Sequence, residues 1–258
     1  MFEEIDLVWE KIRSEIKIIS DNEPTLSKFY YLMVLQHKSF LKALSFVLSN
    51  KLQNKMIMDF FLQDTFEKVY LSDLSLLKSA VKDIYAVYNR DPVIDHYSTI
   101  FLYLKGFHAL QIYRISHKLW KIGRKSFALF LQNTVSVLFS VDIHPAAEIG
   151  YGIMLDHATG IVIGETVLVE NNVSILQSVT LGSTGKITGK RHPTIREGVI
   201  IGAGAKILGD IEIGLNAKIG AGAVVLNSIP SYSTAAGVPA RIVSKSMGQI
   251  NKNLLSPI

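Results

Sequence analysis

From Val141 onward an apolar residue returns at every sixth position, and this period restricts the chain more than any other feature of it. Ile143, Ile149, Leu155, Ile161, Val167, Val173 and Val179 form one series, and Ile163, Val169, Ile175 and Leu181 a second set two residues further on. After an interruption the period resumes at Ile201, Ile207, Ile213, Ile219 and Val225, with Gly202, Gly214 and Gly220 behind three of them. A companion series, Val199, Ala205, Ile211, Ala217, Ala223 and Ile229, is small or apolar throughout. This is the hexapeptide signature of a left-handed parallel β-helix. Each coil has three short flat strands, one apolar residue per hexad points into a triangular prism, and small residues fit the corners. The interruption, Ser183 to Pro193 (STGKITGKRHP), shifts the register by two and reads as a loop extruded from one corner.

The chain before the repeat obeys a different period. None of the 18 glycines lies before Gly106, and 16 lie at or after Gly150. IDLVWEKIRSEIKII, TLSKFYYLMVLQHKSFLKALSFVLSNKL and LSDLSLLKSAVKDIYAVYNR place apolar residues three and four apart, as amphipathic helices do. Asp91-Pro92 punctuates that pattern, because the residue before proline is biased away from helix. A further helical stretch runs from about Phe101 to Trp120. The expected organisation is α+β: an all-α domain over residues 1–140, a β-helix over 141–243 with its loop at 183–193, and a polar tail over 244–258.

Composition removes several classes of function. The chain of 258 residues is 48% hydrophobic and 19% charged with net charge +5, which is globular and leaves apolar surface to bury between subunits. The basic excess is small and scattered, so it suits an anionic ligand rather than nucleic acid. The absence of cysteine excludes a disulfide framework, a thiolate metal site and a thiol acyl-enzyme. The N-terminus is acidic and amphipathic, unlike a secretory signal. The most apolar run, Phe127 to Val141, is broken by Gln132 and Asn133 and falls short of a membrane span of about 20 residues. A soluble cytoplasmic protein is expected.

Ionisable residues that interrupt the hexads point to chemistry. LDHATGIVIGET places Asp156 and His157 side by side inside the repeat. Prisms of this kind commonly trimerise, clefts form between neighbours, and ligands lie along the prism edge. Three histidines fall in the region: His144, His157 and His192. One of them acts as a general base with a carboxylate partner, or the three ligate zinc, or they bond backbone carbonyls at corners. Asp142 precedes His157 by 15 residues, close to the length of one coil, and an aspartate on one imidazole nitrogen leaves the other free to take a proton. With no cysteine and no G-x-S-x-G, direct transfer remains: a bound hydroxyl loses its proton to His157 and attacks a thioester carbonyl. Backbone N–H groups at glycine-rich turns could hold the oxyanion. Lys186, Lys190, Arg191, Lys206, Lys218 and Arg241 supply positive charge for a polyphosphate such as coenzyme A.

DIHPAAEIGYGIMLDHATGIVIGET, VSILQSVTLG, RHPTIREGVIIGAGAKILG, TAAGVPARIV and, in the first half, RDPVIDHYSTIFLYLKGFHALQIYRISHKLW closely resemble the serine O-acetyltransferase family. The resemblance covers nearly the whole chain except the tail. It implies acetyl transfer from acetyl-CoA to the hydroxyl of L-serine, the first step of cysteine synthesis from serine, with acetyl-CoA as substrate and neither cofactor nor metal. Carried over by motif, His157 is the general base and Asp142 its orienting partner. Asp156 and Asp91 are implied at the serine amino group, and Arg191 and His192 at the carboxylate, as the charges of an amino acid require. For acetyl-CoA the resemblance implies the prism edge and the C-terminal coil, through Gly182, Ala203, Gly204, Lys218, Gly222, Thr234 and Ala235.

It further implies a trimer or a dimer of trimers, feedback inhibition by L-cysteine, and binding of O-acetylserine sulfhydrylase through the terminal Ile258. The chain departs from the family pattern at Ser183, where glycine is usual, at Lys190, where an acidic residue is usual, and at Ile100, where proline is common. Rival readings are a β-helical acetyltransferase for another hydroxyl or amine, and an inactive scaffold that binds the sulfhydrylase.

Overall fold

The structure, a computed structural model, describes residues 3–52, 59–185 and 188–245. Eight α-helices come first: α1 (Glu3–Asn22), α2 (Ser27–Tyr30), α3 (Phe40–Lys51), α4 (Asp59–Ser72), α5 (Ser75–Arg90), α6 (Tyr97–Tyr103), α7 (Lys105–Lys121) and α8 (Lys125–Phe139). α1 buries Ile5, Val8, Trp9, Ile12 and Ile16, the stripe its spacing predicts, and carries Glu3, Glu4 and Asp6 in its first turn, where negative charge complements the helix dipole. Trp9 meets Phe40 and Phe101 ring to ring, joining α1, α3 and α6. α5 stops at Arg90 because Asp91, held by Pro92 in an extended conformation (φ −95°, ψ 109°), cannot continue it.

From Val141 the chain winds into about five coils of the left-handed parallel β-helix. Its first face stacks Val141–Ile143, Ile161–Ile163, Thr180–Gly182, Lys206–Leu208 and Val224–Val225. The second stacks Glu148–Ile149, Leu168–Val169, Thr194–Ile195 and Glu212–Ile213. The third stacks Met154–Leu155, Ser174–Ile175, Ile200–Ile201, Lys218–Ile219 and Ser233–Ala236, with Arg241–Lys245 added antiparallel. Both apolar series point inward: Ile163, Val169, Ile175 and Leu181 are buried, and so are Ile161, Val167, Val173 and Val179.

The register corrects one detail of the sequence pattern. Val162 pairs with Thr180, 18 residues on, but Val141 pairs with Ile161, 20 residues on. The first coil therefore holds two extra residues. They lie between Leu155 and Ile161, in the turn that carries Asp156 and His157. The six-residue series runs unbroken there only because it passes from one set of inward positions to the other.

A buried polar joint fixes the helices on the first coil. Asp83 of α5 is fully buried and accepts from Arg114 of α7 at 2.7 and 3.0 Å, from Gln111 at 3.0 Å and from the Ile153 backbone N–H at 2.9 Å. Arg114 also donates to the Gly150 carbonyl at 2.8 Å. An ion pair taken out of water persists only when its remaining donors and acceptors are satisfied, as they are here. Tyr113 donates its hydroxyl to the Ala147 carbonyl, and His117 bonds that of Pro145 at 2.8 Å. Among the described residues no helix is long and apolar enough to cross a membrane.

Candidate active site

Two anchors bring the helical half to the corner at 156–160. The Arg90 guanidinium donates to Ser174 Oγ at 3.1 Å, and Ser174 is the register partner of Met154. This places Asp91 beside Asp156. Asp91 Oδ1 accepts the Val93 N–H at 3.0 Å, so its carboxylate also closes the turn at Pro92. The second anchor is the start of α7. The Lys105 ammonium donates to Thr159 Oγ1, and Gly106 lies so close to the corner that a Cβ would collide with the Leu155 carbonyl.

The turn itself is strained. His157 (φ +54°) and Ala158 (φ +61°) are successive non-glycine residues in the left-handed region, followed by Gly160 at φ +78°. Such conformations cost on the order of 1 kcal/mol or more each and cluster at functional sites. The result is an imidazole 73% exposed whose Nε2 lies 3.7 Å from Oδ2 of Asp156, itself 24% exposed. Burial raises the Asp156 carboxyl above its ordinary range; His157 pulls it back, and the charge of Asp91 pushes it up again. Two carboxylates close enough for their charges to couple favour a cation near them.

Asp142 projects from the middle of the first face, on the strand beside this turn. Its Oδ1 accepts from Gln132 Nε2 of α8 at 2.7 Å. In this conformation the imidazole of His157 meets Asp156, and the carboxylate of Asp142 meets Gln132.

Arg191 and His192 occupy the other end of the first face, at the corner where the 183–193 loop leaves. Arg191 pairs with Glu165 at 2.6 Å, which holds the Glu165 carboxyl below its usual range. His192 is buried; its Nδ1 accepts from the Thr166 backbone N–H at 3.2 Å, so its proton sits on Nε2. Burial, then the Arg191 charge, lowers its pKa. Its ring fills the space left by Gly164, where a side chain would overlap it. His144 lies at the same corner against Trp120, with ring centroids 5.2 Å apart. Within one chain the three imidazoles that a zinc site would need are divided between two corners.

The residues expected at acetyl-CoA divide as well. Ala203, Gly204 and Gly222 stack directly above the His157 corner: Ser178 N–H donates to the Thr159 carbonyl, Gly204 N–H to Gln177 and Gly222 N–H to Ala203. Lys218 and Thr234 are register partners on the adjoining third face. Ala235 is fully buried in the prism, which leaves only its backbone to a ligand. Gly182 sits at the far end of its strand, next to the loop. Of the cationic residues, Lys190 and Lys206 donate to the carbonyls of Thr166 and Ser178, while Lys186 and the terminal Ile258 lie outside the described residues.

Sequence reasoning missed several residues of this region. Gly106 carried a signal, as one of only two glycines before Gly150. Gln132 carried another, as a carboxamide inside the most apolar run. Arg90, Lys105, Glu165 and Thr166 gave none, because each acts through a partner distant in the chain.

Comparison with known proteins follows the same lines. The family described as "Serine acetyltransferase, N-terminal" matches residues 8–112, and "Bacterial transferase hexapeptide (six repeats)" matches 192–227. The serine acetyltransferase of Escherichia coli K12 is 59% identical over 243 residues, 94% of this chain and 89% of that one. A solved serine acetyltransferase in complex with cysteine superposes with a TM-score of 0.90 at 59% identity, covering 92% of this chain and 98% of the other. One in complex with CoA gives 0.89 at 57% identity, with 93% and 100% covered.

Proposed function

The chain belongs to the serine acetyltransferase family and transfers an acetyl group from acetyl-CoA to the hydroxyl of serine, and on that premise we propose that the corner at 156–160 is where the transfer occurs. His157 takes the proton of the serine hydroxyl as the oxygen attacks the thioester carbonyl, then returns it to the departing CoA thiolate. Asp142 accepts from the other imidazole nitrogen once the exposed ring turns toward it, fixing the tautomer and stabilising the imidazolium. Asp156 and Asp91 take the substrate ammonium. Arg191 and His192 Nε2–H take its carboxylate, the first as a charged fork and the second as a neutral donor. Acetyl-CoA lies along the edge above His157, over Ala203, Gly204 and Gly222, with Lys218 and Thr234 beside it and Gly182 and the backbone of Ala235 as outer contacts.

The cationic and anionic ends of this serine site stand at opposite corners of one prism. A neighbouring copy that packs its loop corner against the His157 edge completes the site, so the active assembly is a trimer or a dimer of trimers. L-Cysteine presents the same ammonium and carboxylate and inhibits by occupying the same place. The tail ending in Ile258 docks on O-acetylserine sulfhydrylase, and the enzyme works in the cytoplasm.

The observation that carries this reading is the meeting of Asp91, Asp156 and an exposed, strained His157 at one corner. The test is His157→Ala, assayed by thiol release from acetyl-CoA and L-serine. Loss of a general base lowers kcat by about 10²–10⁴; turnover equal to the parent would refute the assignment.

A further inference from the structure

We propose that Gln132 is a positioning residue for the acetyl transfer, holding the carboxylate of Asp142 in the rotamer that His157 needs. This assignment rests on Asp142 being the orienting partner of His157. The geometry comes from the end of α8. That helix stops at Ser140, which adopts a left-handed conformation (φ 57°), and the chain turns back along the first strand. Gln132 and Asp142 thereby face each other across the reversal, with Gln132 Nε2 2.7 Å from Asp142 Oδ1. The Ser140 carbonyl in turn accepts the Gly160 N–H at 2.6 Å, which closes the turn carrying His157. One helix therefore sets both halves of the pair: the base through its C-cap Ser140 and the carboxylate through Gln132 at its middle.

The residue type fits this task. Its neighbours Leu131 and Val135 are buried, and a carboxamide placed between them is unfavourable unless it is bonded. A carboxylate on a short side chain rotates freely between its two oxygens. A donor fixed on Oδ1 stops that rotation and reserves Oδ2 for the imidazole N–H. A neutral donor does so without cancelling the charge that stabilises the imidazolium; lysine or arginine would cancel it, and glutamate would repel Asp142.

The test compares Gln132→Met, which keeps the volume and removes the donor, with Asp142→Asn and the double variant, in the full-length enzyme. Gln132→Met should lower kcat about tenfold with KM for both substrates unchanged. It should also move the acid limb of the kcat/KM profile to lower pH, because a carboxylate that has left the imidazole no longer stabilises the imidazolium. In the Asp142→Asn background the same change should have no further effect. Gln132→Glu preserves size and polarity, guards against a folding defect in the methionine variant, and should be at least as slow. If Asp142→Asn is slow while Gln132→Met keeps the parent's kcat and pH profile, the role of Gln132 is overturned and that of Asp142 stands. If Asp142→Asn turns over normally, the reading of Asp142 fails and this proposal with it. Multiplicative losses in the double variant would also overturn it.

Discussion

Replacing Gly106 by alanine should cripple turnover by moving a turn that residue 106 never bonds. A Cβ there would meet the Leu155 carbonyl oxygen far inside 3.0 Å, a separation real Cβ atoms essentially never show, and the Ala158 Cβ at 3.1 Å. Ordinary contact begins at 3.4 Å, so α7 and the His157 turn must part by roughly 1 Å. Overpacking of this kind costs about 1–3 kcal/mol. Alanine is the better helix former by at most about 1 kcal/mol, and residue 106 is only the second of α7, so the clash wins. The melting temperature should fall by about 2–12 °C, using about 2–4 °C per kcal/mol for a chain of this size. The loss in kcat should be on the order of 100-fold, because a displacement of about 1 Å at a reacting group costs that much. Gly123→Ala is the control: its φ is +84° and nothing lies within 4 Å, so it should lose about 1 kcal/mol of stability and no activity. Thiol-release kinetics and thermal melts of both variants decide the matter. A Gly106→Ala enzyme with the parent's kcat would refute the argument that α7 positions the His157 turn.

The raised Asp156 carboxyl predicts a pH signature. In the proposed site the substrate ammonium needs the ionised form, so KM for L-serine should climb as pH falls through a value above the ordinary carboxylate range, while Asp156→Asn should show a high KM that no longer varies there. The proposed division of the serine site between two corners predicts complementation. His157→Ala and Arg191→Ala proteins, each inactive, should regain part of the parent's activity when unfolded together and refolded, since some interfaces then pair an intact base with an intact arginine. No recovery in demonstrably mixed oligomers would place both residues of a working site on one chain.

Much of this molecule follows from short-range rules. A β-helix coil is built from neighbours in sequence, so its inward residues recur at a fixed step, and Ile201, Ile207, Ile213 and Ile219 reveal the prism without reference to any other part of the chain. The helical stripes of α1 and α5 are legible for the same reason. Motif residues such as Asp91, Asp156, His157, Arg191 and His192 stand out because ionisable groups interrupt an apolar or small-residue repeat. The two-residue insertion at the first corner escaped notice, because it transfers the period from one inward series to the other without breaking it.

The chain's local patterns thus determined the architecture and the residue types that could do chemistry: a period of six can be satisfied only by a triangular coil, and a carboxylate beside an imidazole has few structural uses there. Tertiary structure decided which of those residues meet. Arg90 to Ser174, Lys105 to Thr159, Gln132 to Asp142 and Arg191 to Glu165 join positions whose separations follow no period, through helix docking and coil stacking. Long-range pairing of this kind depends on where rigid elements come to rest, and no repeat along the chain encodes it.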